Sequence, residues 1–381
     1  MGKSIRILHI THANGGGVLR HIEQLYNNLD KTRFEQRYIC NSDSLINKKM
    51  RGLNAQVDNI KMLRQISPVK DIKAIRAIKK AISGMEKPDI VHVHSSKAGV
   101  LGRLACRKLK IPLIYTPHSW AFDMKTSKLS VFLYKIIERN MSRYCDKIVQ
   151  VSQAECDSAV RHGINKEKLT VVPNAVELYR FLENSAENGK LLSEKLGLQG
   201  DSTVIGMVGR LEGQKNPEMF VKVANEMLKT NKDIHFALIG DGKMEPAIRA
   251  QIDGFGIGGN VHLTGWLEDV EGYLKSLSLA LQLSRWEGLS ITLLELMAAG
   301  VCVAVSDIDG NREVIRDNQN GLMIAENLSE KEIADKILKL LSDGERMQTL
   351  TENARETVRE HYNIDRLTRQ YEQLYGEIAS K

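Results

Sequence analysis

The sequence predicts an α/β protein of two Rossmann-like, doubly wound parallel-sheet domains. Three features carry that prediction. Short runs rich in β-branched residues alternate with longer stretches of helical period. The short runs are apolar almost throughout, as strands buried on both faces must be. The alternation also restarts halfway along the chain. In order, the first half offers strands at Ile5–Ile10, Gln36–Cys40, Ile90–His94, Leu113–Thr116, Ile148–Val151 and Thr170–Val172. The second half offers Val204–Val208, His235–Ile239, Val261–Thr264, Leu279–Leu283, Val301–Val305 and Leu322–Ala325. Strand signals stop after Pro173-Asn174, and polar residues from Glu183 to Gly197 precede the next strand, so a linker is expected over residues 175–200, between domains at 1–175 and 200–364. In sheets of this kind ligands sit beyond the carboxyl ends of the strands, and the active site is expected where the two sets of ends face a common cleft.

Composition narrows the classes. The 381 residues are 42% hydrophobic and 27% charged, with 29 Gly and 7 Pro, which excludes disorder and collagen-like repeats. The longest apolar run, Leu296–Val305, is ten residues, well short of the roughly 18–20 that cross a bilayer. Ile5–Ile10 is too short for the apolar region of a signal peptide, so a cytoplasmic protein is expected. The five cysteines are scattered with no C-x-x-C spacing, which argues for buried thiols over disulfides or zinc. The net charge of +7 hides an asymmetry: residues 1–200 carry +16 and residues 201–381 carry −9. A basic half suits nucleic acid, an anionic membrane surface or an acidic substrate.

Three segments carry candidate chemistry. After the first strand, Gly15, Gly16 and Gly17 form a turn into a helix whose N-terminal N–H groups suit an anion, although the pattern is neither G-x-G-x-x-G nor a Walker A sequence. After the first strand of the second half, Gly209-Arg210 precedes Lys215-Asn216-Pro217, where a guanidinium and an ammonium can clamp a diphosphate; a solvated basic pair is the competing reading. The third segment runs from Arg285 to Gly300. Glu287 lies in the loop after a buried strand and Glu295 near the start of the next helix, and the two carboxylates frame an amide-rich turn that can meet sugar hydroxyls and phosphate oxygens. Glu295 stands among Leu293, Leu294, Leu296 and Met297, where a carboxylate needs a partner.

The E-x7-E spacing of Glu287 and Glu295 joins Gly209-Arg210…Lys215-Asn216, Gly240-Asp241-Gly242, Pro173-Asn174 and the Gly15–Gly17 turn, in order, over nearly the whole chain. In this the sequence resembles the family 4 retaining glycosyltransferases of the GT-B fold. The resemblance implies transfer of a sugar from a nucleoside diphosphate donor with retention of configuration and with no metal or other cofactor. It implies that Arg210 and Lys215 hold the diphosphate, that Glu295 accepts from the ribose hydroxyls, and that Glu287 contacts the donor sugar. The backbone of Gly288, Leu289, Ser290 and Ile291 would complete the cradle, Gly16 and its neighbours would approach the diphosphate, and Gly240, Gly265 and Trp266 would border the donor, the last two at the base. His118, after the Leu113–Thr116 strand, would lie beside the transferred sugar. The segment reads Glu287-Gly288-Leu289-Ser290-Ile291 where E-G-F-G-x-P is commoner, which leaves the sugar open. His12, His92 and His94 lie near by, but on strands or strand ends without matching carboxylates, so no metal site is expected. The fold also implies a final helix, 365–381, packed back on the first domain.

The stretch His94–Arg103 and Tyr115–Phe122 resemble the acceptor side of bacterial enzymes that build capsule, exopolysaccharide or O-antigen units on polyprenyl diphosphate. Ser95, Lys97, Arg103 and His118 are the candidate acceptor residues, Lys97 and Arg103 for a diphosphate. Ser67-Pro68 opens a stretch that interleaves isoleucines with Lys70, Lys73, Arg76, Lys79 and Lys80, and a second runs from Lys128 to Arg143. Either suits an anionic bilayer, or packs its apolar stripe on the sheet with its lysines in water. With the basic half, the expectation is a protein bound peripherally to the inner face of the cell membrane, using a UDP- or other nucleoside-diphosphate sugar. A nucleic-acid module lacks support, because no zinc spacing or aromatic RNP motif is present and aromatics are 5%. A sugar-nucleotide epimerase or hydrolase on the same scaffold is the rival enzyme.

Overall fold

The computed structural model describes residues 4–63, 65–182, 191–199, 202–267 and 270–380. Among the described residues, thirteen strands form two sheets in which every pair is parallel. In chain order the first seven are β1 (Ile5–Thr11), β2 (Phe34–Cys40), β3 (Gln56–Asn59), β4 (Ile90–His94), β5 (Leu113–Thr116), β6 (Lys147–Gln150) and β7 (Leu169–Val171). The other six are β8 (Val204–Val208), β9 (His235–Ile239), β10 (Val261–Gly265), β11 (Leu279–Gln282), β12 (Cys302–Ser306) and β13 (Leu322–Ile324). The strand orders are β3-β2-β1-β4-β5-β6-β7 and β10-β9-β8-β11-β12-β13. Each order reverses direction once, between β1 and β4 and between β8 and β11, and loops at such reversals bind ligands in doubly wound sheets.

Burial explains why the strands were legible. Every residue of β4, β8 and β12 is buried. The first core gathers Leu8, Ile10, Val91, Val93, Tyr115 and Trp120 around its sheet, and the second packs Phe220, Phe236, Leu281 and Ile337. β3 escaped the sequence reading because it is a four-residue edge strand, QVDN, with no buried position.

Contacts divide the chain into two compact units, one of Met1–Asn174 with Ile364–Lys381 and one of Ala175–Asn363. The final helix, Ile364–Ala379, lies against β1, β4 and the helix Gly17–Asn28 of its own unit. The linker expected at 175–200 falls differently. Its residues 183–190 and 200 lie outside the described residues, and the rest packs into the second unit. Val176 pairs with Asn363, Phe181 and Leu192 are buried, Leu192 N–H donates to Ser276 Oγ at 3.1 Å, and Arg180 reaches Glu271 at 2.5 Å. Apolar side chains that can be buried do not stay in a solvated connector.

The two amphipathic stretches resolve unequally. Helix Pro68–Ser83 buries Ala74, Ile78 and Ile82 but leaves Val69 and Ile72 exposed. The Ser67 side chain makes no capping bond at its start; Ser67 N–H donates instead to Asp71 Oδ2 at 3.1 Å. Helix Lys128–Met141 is capped by Ser127, whose Oγ accepts from Ser130 N–H at 3.2 Å. Its Leu129, Phe132, Leu133 and Ile136, spaced i, i+3, i+4, i+7, form a stripe that faces solvent.

Candidate active site

The second unit builds its site from the loops after β8, β9, β10 and β11. Gly209 (φ 142°) and Gly240 (φ 136°) occupy backbone conformations that a side chain resists, and a Cβ on Gly240 would collide with the Gly209 carbonyl oxygen. The close approach is fixed by Gly209 N–H to Ile239 O (2.9 Å), Leu211 N–H to Asp241 O (2.7 Å) and Gly240 N–H to Gly265 O (3.0 Å). The loop of Gly209–Asn216 is then joined to the loop after β11. Arg285 N–H donates to Gln214 O at 2.8 Å, and Gln214 Nε2 donates to Trp286 O and to Glu287 Oε2 at 3.1 and 3.2 Å. Lys215 Nζ meets Glu287 Oε1 at 2.7 Å, both side chains being about nine-tenths buried. Beneath Glu287, a Cβ on Gly310 would strike the Glu287 and Gly288 carbonyls, so the loop after β12 supports this turn from below.

Helix Ile291–Ala299 starts where that turn ends. Ser290 Oγ accepts from Leu293 N–H, and Gly300 (φ 75°) closes the helix in the left-handed region. Eight of its nine residues are buried, Glu295 among them at 8% exposure. The backbone N–H groups of Leu289, Ser290 and Ile291 therefore precede a rigid, fully packed helix next to the Lys215–Glu287 pair, a fit for an anion flanked by hydroxyls. Trp266 stands half exposed just past Gly265 (φ 69°). Arg210 is also about half exposed, with Glu212 Oε2 at 3.1 Å.

In the first unit the histidines converge. β4 places His92 and His94 two residues apart, hence on one face, and the β1–β4 register sets His9 opposite His92. His9 Nδ1 lies 3.0 Å from His94 Nε2, and His94 Nδ1 lies 3.1 Å from His118 Nε2. His118 itself adopts φ 55°, followed by Ser119 at φ 105°, in the loop after β5. The His21 ring meets that of His118 edge-on at 4.8 Å. The final helix closes the cluster from below: Tyr375 OH is 2.7 Å from His92 Nδ1 and Tyr371 OH 3.0 Å from His21 Nε2. Burial pushes all five imidazole pKa values down, His9 to about 3, His21 to about 4, and His92, His94 and His118 well below the usual range. All five are neutral at pH 7. On the same edge, Gly16 (φ 68°) turns the chain into helix Gly17–Asn28, and Ser95 Oγ contacts His12 Nδ1 at 2.9 Å.

Residues 15–180 match the family described as Glycosyltransferase Family 4, and residues 190–357 match Glycosyl transferases group 1. The chain belongs to the family 4 glycosyltransferases. It is 29% identical to the UDP-Gal:alpha-D-GlcNAc-diphosphoundecaprenol alpha-1,3-galactosyltransferase of Escherichia coli, over 84% of this chain and 82% of that one. It is 24% identical to the alpha-monoglucosyldiacylglycerol synthase of Acholeplasma laidlawii, over 83% of each. Its fold is that of Anabaena HepE, solved in complex with UDP and glucose, at TM-score 0.85 and 16% identity over 98% of this chain and 99% of that one. It is also that of WaaG, a glycosyltransferase involved in lipopolysaccharide biosynthesis, at TM-score 0.77 and 15% identity over 97% and 99%. The two sheets are thus those of the GT-B fold.

Within the glycosyltransferase the expected site residues separate into groups. In the second unit, Lys215, Glu287, Gly288, Leu289, Ser290, Ile291 and Glu295 come together on adjoining loops and one helix start, and Gly209, Gly240 and Gly265 meet at the neighbouring strand ends. Arg210 turns to Glu212 instead of joining Lys215. Arg103, expected to meet an acceptor diphosphate, is fully buried: it donates to Glu138 Oε2 at 2.7 Å and Gly99 O at 2.8 Å and stacks on Tyr115, whose hydroxyl also donates to Glu138 at 3.0 Å. Arg103 therefore does not meet an acceptor diphosphate, because its guanidinium is buried and held by Glu138. Lys97 is tied to Asp71 Oδ2 at 2.6 Å and Gln65 O at 3.0 Å. The sequence reading missed the five-histidine cluster. The i, i+2 spacing of His92 and His94 was its visible signal, but the β1–β4 adjacency that adds His9 is a property of the sheet order. Two triads, His9–His92–His94 and His21–His94–His118, have ring nitrogens within 4.8 Å. Apart from His9 Nε2 and His118 Nδ1, the ring nitrogens of these histidines serve one another, Thr116, Asn174, Tyr371 and Tyr375, bonds that a metal would have to break.

Proposed function

We propose that this glycosyltransferase moves a sugar from a UDP-sugar, with retention of configuration and without a metal, to a saccharide carried on polyprenyl diphosphate, in bacterial surface polysaccharide synthesis. The observation that carries the donor half is the Lys215–Glu287 pair beside the start of helix Ile291–Ala299. An ammonium, a ring of backbone N–H groups and a helix N-terminus supply the positive charge that a departing diphosphate needs, in place of a metal ion. Glu287 accepts from sugar hydroxyls and Glu295 from the ribose. The transfer runs on one face of the sugar: the donor C–O bond breaks, the acceptor oxygen bonds to the anomeric carbon, and the departing diphosphate oxygen takes the acceptor's proton. In the first unit, His118, neutral and bonded to His94, is the residue this reading assigns to the transferred sugar.

The acceptor half rests on the Escherichia coli relative, named for a UDP-galactose donor and a diphosphoundecaprenol-linked acceptor. The exposed stripe Leu129, Phe132, Leu133 and Ile136, flanked by Lys128, Lys135 and Arg139, fits the surface of an anionic bilayer, where apolar burial and charge attraction add. No helix among the described residues is long and apolar enough to cross a membrane; the attachment proposed is through this stripe.

Calorimetry with UDP-, GDP-, ADP- and TDP-sugars in EDTA tests the donor. One UDP-sugar should bind to wild type and lose affinity in Glu295→Ala, with turnover falling about a hundredfold in Lys215→Ala. Binding that requires added metal, or an unchanged rate in Lys215→Ala, would refute the reading, and an inverted anomer in the product's NMR spectrum would refute retention.

A further inference from the structure

Burial removes Arg103 from any acceptor diphosphate, and Lys97 is held by Asp71. The first unit nevertheless carries uncompensated cations elsewhere. A cavity of about 390 Å³ lies between the chain leaving β3 and the first turns of helix Pro68–Ser83. Lys61, Lys70 and Lys73 line it, with Ile60, Leu63 and Ala74 as apolar wall. Among the described residues none of the three ammonium groups has an ion-pair or hydrogen-bond partner. The neighbouring carboxylates are committed, Asp58 to Arg37 at 2.9 Å and Asp71 to Lys97 at 2.6 Å. Lys70 and Lys73 are one helical turn apart on the cavity side, and Val69 and Ile72 form the next stripe, exposed to solvent. Three like charges around one hollow repel each other, an arrangement that an anion relieves.

We propose that Lys61, Lys70 and Lys73 seat the diphosphate of the polyprenyl-linked acceptor, with Val69 and Ile72 lying along its lipid. The ammonium groups are point charges on flexible stems and accept a diphosphate in any rotation, as suits a linkage that must place different sugars. β3, β2, β1 and β4 are parallel, so this cavity opens at the same sheet edge as the Gly16 turn and the loop after β4. The proposal rests on the acceptor class assigned above.

The test compares wild type with the triple variant Lys61→Glu/Lys70→Glu/Lys73→Glu on two acceptors: the polyprenyl-diphosphate-linked saccharide in phosphatidylcholine vesicles, and the same saccharide as a phosphate-free octyl glycoside. KM for the diphosphate acceptor should rise about tenfold or more, while KM for the octyl glycoside and calorimetric affinity for the UDP-sugar stay unchanged. Inorganic diphosphate should compete with the lipid-linked acceptor in wild type only, and the triple Lys→Arg variant should restore KM. Unchanged KM, or equal rises with both acceptors, would overturn the assignment. So would loss of binding to phosphatidylglycerol vesicles with KM intact, which makes the lysines a general anionic surface. Failure of wild type to bind any nucleotide sugar would instead sink the donor reading and leave the lysines untouched.

Discussion

A neutral imidazole holds one proton and one lone pair, and that arithmetic governs His118. In the chain His9–His94–His118 three protons serve two links, so the third sits on an outer nitrogen at one end or the other. The state of the free Nδ1 of His118 is therefore tied to that of His9, two rings away. His94→Phe keeps the bulk and breaks both links. It should cost about 1–3 kcal/mol of stability, because buried ring nitrogens on both sides lose partners. In ¹⁵N spectra His118 should change from one tautomer to a mixture, and a mixture already present in wild type would show that the chain does not set it. At this scale the sequence told residue types and missed their company. Glu287 and Lys215 were assigned to sugar and phosphate without notice that they meet each other, and Arg103 was assigned to an acceptor diphosphate because nothing local announces Glu138, 35 residues away, as its partner.

The elements were far more legible. Twelve of the thirteen strands were placed to within about two residues, because a strand buried on both faces writes its burial directly into an apolar run. Amphipathic helices carry less information, since a stripe has the same period whether it faces a sheet or a bilayer. Helix Pro68–Ser83 uses its second half for the sheet and not its first, while helix Lys128–Met141 turns its stripe outward and buries Glu138 to hold Arg103. Only the packing of neighbouring elements settles such a choice. If the outward stripe is a membrane surface, Phe132→Ser/Leu133→Ser should weaken sedimentation with phosphatidylglycerol vesicles by about tenfold or more, from the apolar area lost. Because both side chains already face water, thermal stability should not fall. A fall in melting temperature with vesicle binding intact would mean that the stripe packs inside the protein in solution.

At the scale of the molecule, the two units differ in how they respond to acid. His9 and His21 titrate near 3 and 4 in the folded first unit and near 6.5 when unfolded, and burial depresses His92 and His94 in the same direction. Between those limits the unfolded chain binds more protons than the folded one. Stability is therefore fully present above about pH 6.5 and declines as pH falls toward 3, by at most about 1.4 kcal/mol per pH unit for each histidine. The second unit has His235 and His262, which sit 3.2 Å apart, are only partly buried and are shifted less far down. The first unit should therefore unfold first on acidification. The tryptophans report separately, Trp120 being buried in the first core while Trp266 and Trp286 belong to the second unit. With 5-fluorotryptophan, the ¹⁹F resonance of Trp120 should lose its native shift at a higher pH than the other two, and His9→Phe should move that transition to lower pH if the variant folds. Loss of all three resonances at one pH would mean that the units unfold together and that the buried histidines do not set where acid acts first.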